Sequence, residues 1–269
     1  LQKYTLHEVS LINEMIGYND GRVFPHSLIY SSSNGVANQC LKEADVWHIH
    51  NYLSGPLTTL KRKQGTIAQF HSLPRLGNWP QLMKFADKCY TINQPLHEKE
   101  YGLPSLPNII DPDDYYPVKK TLKISIAFAP TTRLAVGSLN SKGYHEVKKV
   151  LDQVATKRDI EIVWIEGLPY MQNLRMKARS HILIDDVVTG NWHRTSLEGA
   201  CFGCVVLNKV QKEPFIYANL KTLEERLLWL IDNPKAMERI GEMSRLWVLR
   251  DWHPIEGVKK YVKAYQEVA

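Results

Sequence analysis

Short apolar runs alternate with segments whose apolar residues return every three or four positions, and the alternation persists from residue 23 to the end of the chain. The short runs predict buried strands and the spaced segments amphipathic helices. Their regular succession predicts an α/β fold with parallel sheets. In the first part, strands are expected over 23–30, 45–51, 65–71 and 88–92. Over 34–44, Val36, Cys40 and Leu41 recur at helical spacing. Pro104, Pro107 and Pro112 then break the rhythm, because proline continues neither a helix nor a central strand. The stretch 103–112 is read as a connection between domains.

The pattern restarts with an apolar strand over 122–129, followed by Pro130-Thr131-Thr132-Arg133. Helices are expected over 144–156, 170–179 and 195–202, alternating with strands over 160–165, 181–185 and 204–207. Further helices are expected over 222–232 and 234–249. A last one, over 254–268, carries Val258, Tyr261, Val262 and Tyr265 on one stripe. The reading gives a first domain over 1–117, a second over 118–250 and a terminal helical segment over 251–269.

Composition changes this picture little. At 269 residues, 44% hydrophobic and 23% charged, the chain has room for two modest domains with their own cores. No run of about 18 apolar residues predicts a membrane span, and the first residues lack a signal-peptide pattern. Cys40, Cys89, Cys201 and Cys204 are too few and scattered for a disulfide framework. They are read as reduced thiols in a cytoplasmic protein. Charge adds more. Residues 1–118 carry ten basic and eleven acidic side chains, whereas 119–269 carry twenty-four and seventeen. A basic second half suits a phosphate-bearing ligand, and equally nucleic acid, an anionic membrane surface or plain solvation.

In open parallel sheets, ligands bind beyond the carboxyl ends of the strands. Arg133 follows the first strand of the second domain, and Lys142-Gly143 opens the next helix. A helix start offers free N–H groups to phosphate, and two cations beside it would neutralise a diphosphate. The plainer reading is a pair of loop cations. Glu198 lies early in the helix Thr195-Ser196-Leu197-Glu198-Gly199-Ala200-Cys201-Phe202, where it is either a helix-end charge or an acceptor for vicinal hydroxyls. His71 ends a strand and is placed for contact with a substrate. His48 and His50 share a strand face but lack a third metal ligand nearby, so no metal site is expected.

Lys142-Gly143 and the stretch from Ser196 through Glu198 to Val206 resemble the donor-site signature of family-4 glycosyltransferases, and specifically capsular-polysaccharide-type relatives. Ala44–Asn51 with its His48-Ile49-His50, Leu106–Asp111 through Tyr116-Pro117, and Asp251-Trp252-His253 resemble further segments of that family in the same order. The resemblance implies the GT-B fold: two facing Rossmann-like domains, the N-terminal one reduced, with the last helix crossing back onto it. It implies a nucleotide-diphosphate sugar as donor, retention of configuration, and no cofactor or strictly required metal. Arg133, Lys142 and Gly143 would hold the diphosphate, and Glu198 the ribose. Gly167 and Leu168 would face the base. The loop Gly190–Ser196, with Gly190, Asn191, Thr195 and Ser196 as its named contacts, would approach the sugar and phosphates. His71, Arg133 and Lys142 would carry the catalysis, and the domains would close across 108–117.

Two departures stand out. Gly190 occupies the place where the family commonly carries a Glu facing the transferred sugar. Asp185 and Asp186 lie nearby, and Asn191 with backbone amides is the expected replacement. The family's first Gly-rich loop has only Ser31-Ser32-Ser33-Asn34-Gly35 as a stand-in. The acceptor stays open between glycans, lipid-linked molecules and others, with peripheral membrane contact compatible and nucleic acid less favoured. The alternatives are a nucleotide-sugar epimerase or hydrolase, a catalytically silent nucleotide-sugar-binding module, and a nucleic-acid-glycosylating enzyme.

Overall fold

The structure is a computed structural model that describes residues 5–6, 8–10, 12–13, 28–29, 35–51, 65–71, 79–92, 102–130, 133 and 142–269. Ser31–Asn34, and most of the strand expected over 23–30, lie outside the described residues. The chain divides into two units: residues 1–109 with 254–269, and residues 110–253.

In the first unit, the short strands β1 (Ile12–Asn13) and β2 (Leu28–Ile29) pair in parallel. Helix α1 (Gly35–Glu43) precedes a three-stranded parallel sheet of β3 (Val46–His50), β4 (Gly65–Phe70) and β5 (Lys88–Thr91), in that order. Helix α2 (Trp79–Phe85) joins β4 to β5 and stacks Trp79 on Phe70 at 3.9 Å. Strand β4 is buried along nearly its whole length, as a central parallel strand must be. One face packs Ile49, Ala68 and Phe70 against Trp79 and Leu82. The other packs Ile67, Tyr90 and Leu106 against Tyr261 and Ala264 of the final helix. The proline-rich stretch is more than a tether, since Ser105 bridges Thr91 in parallel and extends the edge of β5.

The second unit holds the larger sheet. Its strands are β6 (Ser125–Phe128), β7 (Glu161–Trp164), β8 (Ile182–Ile184), β9 (Val205–Asn208) and β10 (Ile216–Tyr217). They lie in the order β10-β9-β8-β6-β7, and every pairing is parallel. The connecting helices are α3 (Tyr144–Lys157), α4 (Tyr170–Arg179) and α5 (Arg194–Cys201). Helices α6 (Leu223–Asp232) and α7 (Pro234–Asp251) follow, and α8 (Pro254–Gln266) returns the chain to the first unit. Side chains alternate across the sheet with the strand period of two. Ile126, Phe128, Ile182, Ile184, Val205 and Leu207 face α3 and α6. Ala127, Leu183 and Val206 face α4, α5 and α7. Residues 110–117, read from the sequence as the end of the first domain, pack within this unit. Ile110 and Tyr115 join its core, and the Arg245 guanidinium donates to the carbonyls of Pro112, Tyr115 and Cys201.

This strand order sets the position of the candidate site. The chain runs from β6 outward to β7, then crosses back to place β8 on the other side of β6. The loops leaving β6 and β8 therefore diverge, and the gap between them is where open α/β sheets take up ligands.

Candidate functional site

The two loops at this switch point are joined by a buried ion pair. Lys142 and Gly143 both adopt left-handed backbone, at φ 49° and 71°, to turn the chain into α3. A β-carbon on Gly143 would also lie 2.8 Å from Val188 of the facing loop, so glycine is required there on two counts. This turn directs the Lys142 ammonium onto Asp185, just past β8, at 2.5 Å. Asp185 is fully buried and its second oxygen accepts from the Ser196 hydroxyl at 2.6 Å and the His193 backbone N–H at 2.8 Å. Asn208 of β9 donates to Ser196 in turn. Burial by itself would raise the Asp185 pKa. The Lys142 charge, with His193 and the hydrogen bonds from Lys142 and Ser196, overrides it and holds the carboxyl well below the usual range. Glu146 already places one negative charge in the first turn of α3.

Asp186 organises the neighbouring loop. It accepts from the backbone N–H groups of Val188 and Thr189 at 2.8 Å each, from the Thr189 hydroxyl, and from the His193 ring at 3.1 Å. Burial works against its ionised form, and the His193 hydrogen bond leads the contributions that nonetheless lower its pKa.

Arg133 stands apart from this cluster. Its exposed guanidinium meets Glu166, just past β7, in a bidentate pair, and lies 5.4 Å from the centre of the Tyr144 ring. Glu166 precedes Gly167, which is exposed and left-handed at φ 59°, and half-buried Leu168. Arg133 and Lys142 thus each rest on an internal carboxylate.

Glu198 is nearly buried and belongs to a third network. Lys177 of α4 donates to one carboxylate oxygen at 2.6 Å, and Arg194 and Tyr170 reach the other at 3.1 and 3.4 Å. Arg194 also donates to the Tyr115 hydroxyl at 3.0 Å. An ionised carboxylate has about four acceptor positions, and three here are in use. Thr195 lies half-exposed beside this network in the first turn of α5.

Gly190 has φ 85°, a region that costs a non-glycine residue about 1–2 kcal/mol. A carboxylate side chain at this place would strain the loop, which gives a physical reason for the missing Glu. Gly190→Glu is expected to lower unfolding stability by about 1–2 kcal/mol in a chemical denaturation curve; an unchanged midpoint would refute the assignment of strain. Next to it, Asn191 is buried with its side-chain carbonyl oxygen unpartnered.

His71 belongs to the first unit, at the end of β4, and its ring lies 2.8 Å from the His50 ring nitrogen. His48 and His50 stack at 4.4 Å, and His48 also reaches the Tyr265 hydroxyl of α8. Among the described residues, no three His, Cys, Asp or Glu side chains are grouped to hold a metal ion. Cys201 and Cys204 are buried thiols. Burial pushes the Cys201 thiol up to about 12, and Cys204 donates to the carbonyls of Lys177 and Ser180.

The structure therefore brings Lys142 and Ser196 together on one carboxylate, sets Gly143 against the 186–193 loop and leaves Glu198 in its own network. Lys177, Arg194 and His193 were not singled out from the sequence. The one available signal was Asp185-Asp186 directly after an apolar strand, where two adjacent carboxylates need cations from elsewhere.

The fold is that of the GT-B glycosyltransferases, with parallel-sheet Rossmann-like domains. Among the solved structures it resembles are TarM, with a TM-score of 0.63 at 7% identity, and sucrose-phosphate synthase from Thermosynechococcus elongatus, with 0.59 at 9%. An α-glucosyltransferase in complex with UDP and a 13-mer DNA containing a HMU base gives 0.62 at 11%. The chain is covered over 86%, 86% and 90% in these comparisons, against 57%, 75% and 85% of the other chains. It thus spans a little over half the length of TarM. No family profile matches the sequence, and no curated protein does. Among the described residues, no helix is long and apolar enough to cross a membrane.

Proposed function

We propose that this chain is a glycosyltransferase that uses a nucleotide-diphosphate sugar and binds it at the carboxyl end of the β6–β8 crevice. The observation that carries the reading is Lys142, delivered by a left-handed turn to the switch point of a GT-B-type sheet and held there by Asp185. An ammonium has three donors, of which Asp185 takes one, so two can face a diphosphate. Arg133 would exchange Glu166 for phosphate, an exposed pair that costs little to open. The unpartnered oxygen of Asn191 supports a sugar hydroxyl at this loop, since an unmade buried hydrogen bond costs about 1–3 kcal/mol. Glu198 retains one acceptor position for the ribose, next to Arg194.

In the reaction, the bond from sugar C1 to the β-phosphate oxygen breaks and a bond from the acceptor oxygen to C1 forms. The acceptor proton passes to the departing phosphate, on the retained face. The protein's share is to stabilise charge growing on that phosphate. Family-4 membership of the capsular type, a cytoplasmic site and independence of metal complete the proposal.

Calorimetric titration with nucleoside diphosphates and nucleotide sugars tests it. At least one is expected to bind, and Arg133→Ala and Lys142→Gln are each expected to weaken it about tenfold or more. Unchanged affinity in both variants would reject the donor site.

A second reading concerns the acceptor. The basic second half, with the likeness to a structure holding DNA, supports nucleic acid. It requires DNA binding that weakens steeply with salt, and absence of binding at low salt would remove it.

A further inference from the structure

We infer that His193, oriented by Asp186, is a further cation for the donor's diphosphate, beyond Arg133, and acts beside Lys142 on the β-phosphate. This rests on the reading above and gives a specific role to one residue of the loop Gly190–Ser196, which the resemblance brings to the phosphates only as a stretch.

Three observations converge on this side chain. The His193 backbone N–H is bound by Asp185, the same carboxylate that takes the Lys142 ammonium, so the two residues are neighbours at the switch point. Its ring nitrogen Nε2 lies 3.1 Å from Asp186, itself fixed by Val188 and Thr189, so the ring is aimed by a rigid, buried anion. The imidazole is also the accessible member of the group. It is 33% exposed, whereas Lys142 is 7% and Asp185 is fully buried. Of the three side chains, the His193 ring is thus the one most open to a ligand.

The chemistry follows from the two ring nitrogens. With Nε2–H donating to Asp186, Nδ1 is the nitrogen left for a ligand. As an imidazolium it donates a charge-assisted hydrogen bond to a phosphate oxygen. His193 is also the residue that opens α5, and no side chain caps that helix. A phosphate at Nδ1 would lie near the helix start, whose partial positive charge adds to the effect. Two residues earlier, the buried oxygen of Asn191 lacks a partner. A diphosphate at His193 would bring its attached sugar within reach of this segment. The departing phosphate takes the acceptor's proton, so the transfer asks no proton of His193. The ligand class is therefore a nucleoside diphosphate, with or without its sugar, distinguished from the monophosphate by the β-phosphate.

The test compares UDP with UMP and GDP with GMP by isothermal titration calorimetry, in the wild type, His193→Gln, His193→Lys and Arg133→Ala. His193→Gln is expected to weaken diphosphate binding about 10- to 100-fold while changing monophosphate binding less than about threefold. His193→Lys restores a cation and is expected to recover most of the loss, which a merely structural role would not produce. Thermal unfolding of both variants is followed alongside and should stay near the wild type, since Gln and Lys each keep a donor for Asp186. The inference is overturned if His193→Gln leaves both affinities alone or weakens both equally, or if His193→Lys behaves like His193→Gln. Loss of diphosphate binding in Arg133→Ala with none in His193→Gln would sink this inference and leave the donor site standing. A wild type that binds none of the four nucleotides would overturn both.

Discussion

Glu198→Ala lowers the unfolding free energy of the second unit by about 3–5 kcal/mol, the range for removing one partner of a buried ion pair. Lys177 and Glu198 are each 4% exposed, so the lysine left behind is cut off from water. Arg194, which shares the carboxylate, is 44% exposed and turns outward at small cost. The unpaired ammonium of Lys177 therefore dominates. For a unit of this size the change corresponds to a melting temperature roughly 6–20 °C lower, read from the far-ultraviolet circular dichroism melt. The double variant Lys177→Met with Glu198→Leu should recover most of the loss, because a buried pair replaced by apolar side chains is often neutral. A Glu198→Ala protein melting within about 1 kcal/mol of the wild type would show that the pair is hydrated. The result matters for function too, since only Glu198→Gln, which keeps an oxygen for Lys177, separates a ribose role from a folding role.

Asp185→Ala is expected to cost as much again, about 3–5 kcal/mol at neutral pH. It strands the buried Lys142 ammonium and also removes the acceptor of Ser196 and of the His193 backbone. The pH dependence has a definite sign. The folded carboxyl titrates below the unfolded value of about 3.9, because Lys142 and its hydrogen bonds outweigh burial. Its contribution is fully present above that unfolded value and is lost as pH falls toward the folded one. Denaturant midpoints of wild type and Asp185→Asn should therefore differ at pH 7 and converge as pH drops below about 4. A gap that stays constant down to pH 2 would contradict the lowered carboxyl.

Much of the fold was readable because periodicity records burial. The helix expected over 170–179 is found at Tyr170–Arg179, and the core strands fall inside their expected ranges except β9, which runs one residue further to Asn208. The strand expected over 122–129 begins only at Ser125, since Leu122 and Lys123 stand in solvent ahead of the sheet. Two elements left too short a trace. Strand β10 is two residues following Phe215, and α2 is seven residues opened by Trp79-Pro80. The candidate site was legible in part, where chemistry coincides with a helix start, as at Lys142 and Ser196. Its pairings were not. A lysine in the last turn of a helix, such as Lys177, reads as a complement to the helix dipole, and nothing in its spacing points twenty-one residues onward to Glu198. Asp185, Asp186 and His193 likewise belong to a network built across two loops, α5 and the end of β9, which no single-segment period encodes.

The order of the first unit along the chain bears on its synthesis. The face of its sheet carrying Ile67, Tyr90 and Leu106 is covered by Tyr261 and Ala264, contributed by a helix made only after residues 110–253. A nascent polypeptide leaving the ribosome therefore exposes that oily surface while the intervening 110–253 region is made and becomes free to collapse. A unit begun before the 110–253 region is thus completed only after it.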